Sequence, residues 1–597
     1  MTFTHAADFT TRPTLEGHFG MSASTHWLAT ASAQSVLERG GNAFDAAAAG
    51  AFVLHVVEPH LNGPGGDMTG VFAAADDPTP IVLNGQGPAP AAATLEHCAS
   101  LGLDRVPGAG ALAAAVPAAV DAWLLLLRDH GTWELARVLD FAIDYAENGH
   151  RAVPAISGII RTVQELFTEH WPTSAAQWMP GGRVPEPGET LTNPVYAKVL
   201  RGLVEAGAEA ADRQGRIDAA RTEWKTGKVA AAAAEYVKTP HRHSDGGDYA
   251  GVITQEDFAD HSAGYEDAVT IEFRGHTIAK TGPWGQGPVL LQALKILDGF
   301  DDVRLDPGTE LGAHTILEAL KLAMADRDTY YADGEVPLNH LLSDEYAAAR
   351  RQLITEEASH EFSPGDIPGA AKTLPRLERA GTGLSGGAAG GGEPTVSRAG
   401  ETKGDTCHID VVDRWGNMIS ATPSGGWLQS SPTIPELGFP LGTRLQMNWL
   451  DPGSPSALKP GKRPRTTLTP TLVLKDGAPF MALGTPGGDQ QDQWQLLFLL
   501  RTLVGGHTPQ QAIDAPALHT TSLPSSFWPR QWEPGGAVVE DRLGDDVIAG
   551  LERRGHAITR AGEWKLGRLS CVVRDPASGR LQAAANPRAA QGYAAGR

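Results

Sequence analysis

Thr406 has the most unusual setting of any hydroxyl residue in this sequence. It stands between a glycine-rich run that ends at Asp405 and the alternating stretch "CHIDVVD". A threonine hydroxyl is a weak nucleophile unless a base stands beside it, and a free α-amino group on the same residue can be that base. Such an amine titrates at about pH 7.7–8, close to ordinary working pH. The chemistry requires the Asp405–Thr406 peptide bond to be cut. A glycine-rich approach lets that bond strain into position and lets the new end swing clear. Two readings stay open at this level: a nucleophile, or an ordinary threonine opening a strand. Cys407 alternates to the opposite face and reads as a packing residue.

Three further stretches hold residues that could do chemistry. "GTPGGDQQ" (484–491) follows a strand and precedes a helix. Consecutive amides at Gly487 and Gly488 would make an oxyanion hole there, because no side chain blocks them; the other reading is a plain strand-to-helix turn. "HLNGPGGDM" (60–68) is glycine-rich but lacks the lysine of a P-loop and the spacing of a dinucleotide fingerprint. "HRHSDGGD" (241–248) has metal-capable residues without a partner cluster, and reads as a solvated loop.

The elements that must position these residues follow from pattern. Residues 22–60 read as two helices, the second starting from Asn42 as N-cap. Pro117 reads as the first residue of a helix that ends at Gly131. Further helices are expected around 133–147, 195–206, 216–237, 288–299, 310–330, 491–504 and 541–554. Hairpins turn at Arg274–Gly275, at "RWGN" after Asp413, at Asp476–Gly477 and near Ser578–Gly579. From about 379 to 405 the composition is that of a flexible linker. Helices first, hairpins later and a linker between them suggest antiparallel sheets covered by helices.

Composition narrows the class. The chain has 597 residues, 41% of them hydrophobic, enough for a large core. A formal net charge of −21 argues against nucleic acid or an anionic membrane as partner. Three separated cysteines, Cys98, Cys407 and Cys571, build neither a disulfide framework nor a zinc spacing. The first residues lack the basic and apolar regions of a signal peptide, and no apolar run approaches the ~20 residues of a membrane span. The expectation is a cytoplasmic protein.

The order of motifs over nearly the whole chain resembles the gamma-glutamyltranspeptidase family. The motifs are "GGNAFDAAAA" (40–49), "GVITQEDFADH" (251–261), "HTILEALKLAMADRDTYYAD" (314–333), "DTCHIDVVDRWGNMIS", "KRPRTTLTPTLVLKDG" (462–477), "GTPGGDQQ" and "ANPRAAQGYAAG" (585–596). The resemblance implies an α+β N-terminal-nucleophile hydrolase, a four-layer αββα sandwich made as one self-cutting precursor. The cut would separate a large chain, 1–405, from a small chain, 406–597, interleaved in one unit. Thr406 would attack a γ-glutamyl amide such as glutathione, and water or an amine acceptor would take the acyl group. Gly487 and Gly488 carry over as the oxyanion hole. Ser424 falls where the family has a second threonine that bonds the nucleophile. Thr466 and Thr467 match paired serines that hold the substrate carboxylate. Asp451 matches the acid that binds the substrate amino group, and Asn448 a glutamine beside it. No cofactor or metal is called for, since nucleophile, base and oxyanion donors all come from the chain.

Departures from the family pattern concern the substrate. Gln86 stands at the position of the carboxylate-clamping arginine, and glutamine cannot replace a bidentate charged contact. Arg465 either supplies that charge from another side or is an exposed arginine. Gly426 stands where family members have an asparagine, and the 451–462 segment is short for a lid. An acylase acting on a different acyl amide, as in the cephalosporin-acylase and oxamate-amidohydrolase branches, is therefore the second reading. An uncleaved binding protein on the same scaffold is the third. The oligomeric state is left open, a homo-oligomer included.

Overall fold

The computed structural model describes residues 3–380 and 406–597. Its centre is a pair of seven-stranded antiparallel sheets. The first runs, edge to edge, through Leu15–Gly17, Leu581–Ala585, Ser570–Arg574, Ala478–Gly484, Thr471–Lys475, His276–Lys280 and Val269–Phe273. The second runs through Tyr593–Gly596, Gly20–Ser24, Ile409–Asp413, Met418–Ser424, Asp67–Ala73, Ile81–Gly85 and Gly264–Asp267. Both sheets mix strands from before position 381 with strands from after 405. All four expected hairpins form, with Arg274 and Asp476 at positive φ in their turns.

Side-chain alternation sorts each strand into two faces. In the second sheet Ile409, Val411, Ile419 and Ala421 join a large apolar cluster with the helices of 27–57 and 119–148. Val412 and Met418 face the other way, into a cluster shared with Leu472, Ala482, Val572 and Ala583 of the first sheet. A third cluster packs Val473, Met481 and Val573 of the first sheet against helices Pro288–Leu297 and Glu310–Tyr330. The space between the sheets is lined mainly by small residues, so the two backbones approach closely.

The helix Ala43–Val57 is buried on every side, which its alanine run permits. Gly50 lies so near the central strand that a Cβ there would meet the Ile409 side chain at 2.4 Å. Asn42 caps this helix as expected, in a capping box with Asp45. The buried Asp45 carboxylate also accepts from the Thr132 and Trp133 amides at 2.9 and 3.0 Å and from the Thr132 hydroxyl at 2.6 Å.

Some boundaries differ from the sequence reading, each for a tertiary or backbone reason. The helix expected over 216–237 is two, Arg213–Thr226 and Lys228–Tyr236, broken at Gly227 by an extended ψ of −146°. Pro117 is not the first helical residue: Ala118 and Ala119 both donate their amides to the Gly66 carbonyl, and the helix starts at Ala119. The 491–504 helix widens into a π-turn over Leu500–Val504. The histidine loop at 241–248 is not wholly solvated, because His241 and His243 stack and their Nε2 atoms accept the Ala111 and Leu112 amides. Those rings cap a tight turn. Among the described residues no helix is long and apolar enough to cross a membrane. Most of the 379–405 linker lies outside the described residues.

Asp45→Ala removes the acceptor of four donors at once, the Asn42, Thr132 and Trp133 amides and the Thr132 hydroxyl. A loss of about 3 kcal/mol is expected, read as a fall in the thermal melting midpoint, with far-UV circular dichroism otherwise native.

Candidate active site

Thr406 does not open the regular strand, which begins at Ile409. It makes an isolated antiparallel bridge to Ser424, at the end of the neighbouring strand. The Cys407 amide donates to the Pro423 carbonyl at 2.9 Å and keeps the two chains in register. Thr406 is 2% exposed, and its Oγ1 lies 3.1 Å from Ser424 Oγ. Period-2 alternation places Thr406 on the same face as His408 and Asp410, toward the first sheet. Cys407 points the other way into the helix-side core. There its thiol donates to the buried Glu58 carboxylate at 3.0 Å. Burial pushes both the Glu58 carboxyl and the Cys407 thiol above their ordinary ranges.

A polar ladder continues from Thr406 between the sheets. His408 Nδ1 meets the Thr422 hydroxyl at 2.9 Å and its Nε2 meets Asp410 at 2.8 Å. Ser570, on the first sheet, donates to the other Asp410 oxygen at 2.8 Å. Gly484 ends its strand directly over the His408 ring, where a Cβ would come within 2.2 Å. The chain then reaches Gly487 and Gly488, at φ +136° and +54°. A Cβ on Gly487 would strike Trp494 at 2.4 Å, and one on Gly488 would strike Phe527 at 2.8 Å, so only glycine serves at either position. No hydrogen bond among the described residues uses either amide N–H. Asp489 anchors the turn by accepting from Arg327 and from the Ser526 amide.

Behind Ser424 two glycine turns pack main chain on main chain. A Cβ on Gly66 would fall 2.2 Å from the Ser424 carbonyl oxygen, and one on Gly63 would fall 2.3 Å from that of Gly426. Asp67, the register partner of Ser424, takes a bidentate pair of bonds from Arg444 at 2.5 and 2.7 Å. Sequence reasoning missed both members of this buried pair. Asp67 could have been found as the acid ending a glycine-rich turn, whereas Arg444 carries no signal in its surrounding sequence.

Residues 29–596 match the family described as gamma-glutamyltranspeptidase. The chain belongs to that family. It is 30% identical over 580 residues to the glutathione hydrolase-like YwrD proenzyme of Bacillus subtilis (strain 168), covering 95% of this chain and 97% of the relative. It is 30% identical over 573 residues to the acylase ACY 1 proenzyme of Pseudomonas sp. (strain SE83), covering 93% and 90%. The solved structure of LmbA2991HD superposes with a TM-score of 0.93 at 52% identity, over 99% of this chain and all of the other.

The positions that resemble the gamma-glutamyltranspeptidase substrate site fall into separate environments. Gln86 is fully buried and lines a small cavity with Gly425 and Arg444; its amide donates to the Gly87 carbonyl, and Oε1 has no partner among the described residues. Thr466 Oγ1 is used locally by the Leu468 amide at 3.3 Å, while the buried Thr467 Oγ1 has no such partner. Asn448 donates to the Ser456 carbonyl at 3.2 Å, leaving Oδ1 without a partner. Asp451 is exposed, accepts from its own Gly453 amide at 2.8 Å, and edges a cleft of about 160 Å³ beside Trp449 and Arg376. No hydrogen bond or ion pair between described residues links it to Thr467. Asp405 lies outside the described residues.

Arg465 is the clearest correction. It is not an exposed arginine: it is 1% exposed and donates through Nη2 to Asp328 at 3.2 Å and to Ser526 at 2.9 Å. Arg327 and Arg530 lie in the same cluster. Burial, and then the Arg327 guanidinium, push the Arg465 pKa down to about 10. Its Nη1 has no hydrogen-bond partner among the described residues. Arg327 and Arg465 pair with Asp328 and Asp489, while Arg530 donates to the Met447 and Asn448 carbonyls and lies within reach of the same charges.

Gly426, at φ +62°, has no room for the asparagine that the family resemblance leads one to expect there, since a Cβ would stand 2.8 Å from the Gly66 nitrogen. Gly426→Asn is expected to cost about 1–3 kcal/mol through overpacking, measured as a lower urea midpoint with an unchanged slope.

Proposed function

We propose that the protein is a self-processing threonine amidohydrolase. The observation that carries this reading is the 3.1 Å approach of Thr406 Oγ1 to Ser424 Oγ, on the face turned toward the first sheet. Cleavage between Asp405 and Thr406 would give chains 1–405 and 406–597, and the mixing of both segments in both sheets supports their staying together. The two-sheet core with helices on its outer faces supports a four-layer αββα arrangement of the N-terminal-nucleophile kind.

In the cut enzyme the Thr406 α-amine takes the proton of its own hydroxyl as Oγ1 attacks the amide carbonyl. Ser424 orients that oxygen. The carbonyl oxygen gains negative charge in the tetrahedral intermediate, and the Gly487 and Gly488 amides are the donors for it. The intermediate collapses, the amine leaves with the proton, and an ester remains on Thr406. Water, or an amine acceptor, then attacks the ester and regenerates the hydroxyl.

A γ-glutamyl amide such as glutathione is the substrate reading we adopt, with the Thr467 hydroxyl and Arg465 Nη1 receiving its carboxylate. The second reading, another acyl amide, is favoured by Gln86, which brings no charge to the position of the family arginine. The acylase relative is consistent with it. Glutaryl and oxamate amides tested beside γ-glutamyl-p-nitroanilide discriminate the two: cleavage of another acyl amide with none of the γ-glutamyl compound selects the second.

A denaturing gel of active protein should show two bands, roughly two-thirds and one-third of 62.9 kDa, and Thr406→Ala should stay whole and inactive. A single intact band from an active preparation overturns the mechanism. Ser424→Ala should lower kcat roughly tenfold to hundredfold, the loss of one hydrogen bond to the nucleophile. Because the amine must be neutral to act, kcat/KM should rise with pH through a value of about 7.7–8.

A further inference from the structure

His314 and Glu318 stand one turn apart on the helix Glu310–Tyr330, and His556 follows the helix Asp545–Arg553. All three are buried, at 0%, 3% and 4% exposure. One ligand-capable atom from each lies within 4.8 Å of the other two. We infer that His314, Glu318 and His556 form a site for a divalent transition metal, with Zn²⁺ the best-matched ion, that ties these two helical segments together.

Hydrogen bonding decides which ring nitrogens are available. His314 Nε2 faces the Thr355 carbonyl at 2.8 Å, and a carbonyl only accepts, so Nε2 carries the proton. His314 Nδ1 is then bare, and His556 Nε2 donates to it at 2.9 Å. That leaves the buried His556 Nδ1 as an acceptor with no partner among the described residues. A bare imidazole nitrogen whose ring is oriented by an N–H bonded to a backbone carbonyl is the usual preparation of a metal-binding histidine.

The spacing suits a small tetrahedral ion. Ligands at 2.0–2.1 Å from zinc stand about 3.3 Å apart. Here His314 Nδ1 and His556 Nε2 are 2.9 Å apart, and His556 Nε2 and Glu318 Oε1 are 3.9 Å apart. On binding, the His556 proton moves from Nε2 to the orphan Nδ1, so both rings stay neutral and no imidazole proton is released. Two imidazoles and a carboxylate match zinc better than a hard cation such as Mg²⁺.

Lys321 is the competitor, since its ammonium pairs with Glu318 Oε1 and also donates to the Ser359 carbonyl at 2.8 Å. The metal would displace the first contact and leave the second. The site lies outside the Thr406 machinery. Its first two ligands precede residue 405 and its third follows, so a bound ion would also hold the two proposed chains together, although binding itself does not rest on the cut.

The test is titration of chelator-dialysed full protein with Zn²⁺ alone, by calorimetry and by competition with a chromophoric indicator. One saturable equivalent per chain is expected, with a rise in melting temperature. His314→Ala and His556→Ala should each weaken binding by about 100-fold or more, and His556→Gln serves if the alanine variant fails to fold. Thr406→Ala should bind as the parent does, which separates this site from the proposed catalysis. Lys321→Met should bind at least as tightly. Absence of saturable uptake at ~100 µM, or stoichiometric binding that survives the folded histidine variants, overturns the proposal.

Discussion

The turn at Gly63–Gly66 lies directly against the chain at Ser424–Gly426, main chain on main chain, with no room for a Cβ at Gly63, Gly66 or Gly426. This contact sets the position of Ser424, and through the Cys407–Pro423 hydrogen bond it sets Thr406. The same Gly66 carbonyl takes the amides that start the helix Ala119–His130. Asp67, next in the chain, meets Arg444 in a buried bidentate pair at this junction. Breaking either partner would leave an uncompensated charge in the interior, a loss of about 3–5 kcal/mol. The candidate nucleophile is therefore positioned through close backbone packing reinforced by one buried ion pair.

Polar groups between the sheets do related work. Small residues let the sheets approach. The His408–Asp410–Ser570 ladder crosses from one sheet to the other and ties their relative position to hydrogen-bond geometry. It runs from beside Thr406 to Ser570, whose strand pairs with the one that leads toward Gly487. The two ends of the proposed chemistry are thus connected by the most directional interactions in the core.

The substrate side differs in kind. Gln86 has no charge, Asp451 caps its own loop, and the positive charge comes from the buried Arg327, Arg465 and Arg530 group. A carboxylate entering there would meet a guanidinium already desolvated, where electrostatic attraction is stronger than at the surface. Under the proposed function, the anion-binding role would pass from one family position to this cluster, and the acyl group would be the variable to test.

Much of the architecture was legible in the sequence. Alternation and turn residues located the hairpins at Asp413–Met418 and Asp476–Gly477, and Asn42 announced its helix, because these signals arise within a few residues of chain. The motif order carried the family. Thr406 drew attention because a linker composition stops beside it. Local pattern could not say that Thr406 bridges Ser424 rather than opening a strand, since bridge and strand share the same alternation. Nor could it find Arg444 or place Arg465 inside the protein: their partners Asp67 and Asp328 are more than a hundred residues away. His314, Glu318 and His556 show the same limit, with one helical turn visible in the sequence and the third member supplied by a distant segment. The sequence by itself determined the elements and the chemistry on offer; the tertiary structure decided which of those groups meet, because burial and charge pairing depend on contacts between residues far apart in the chain.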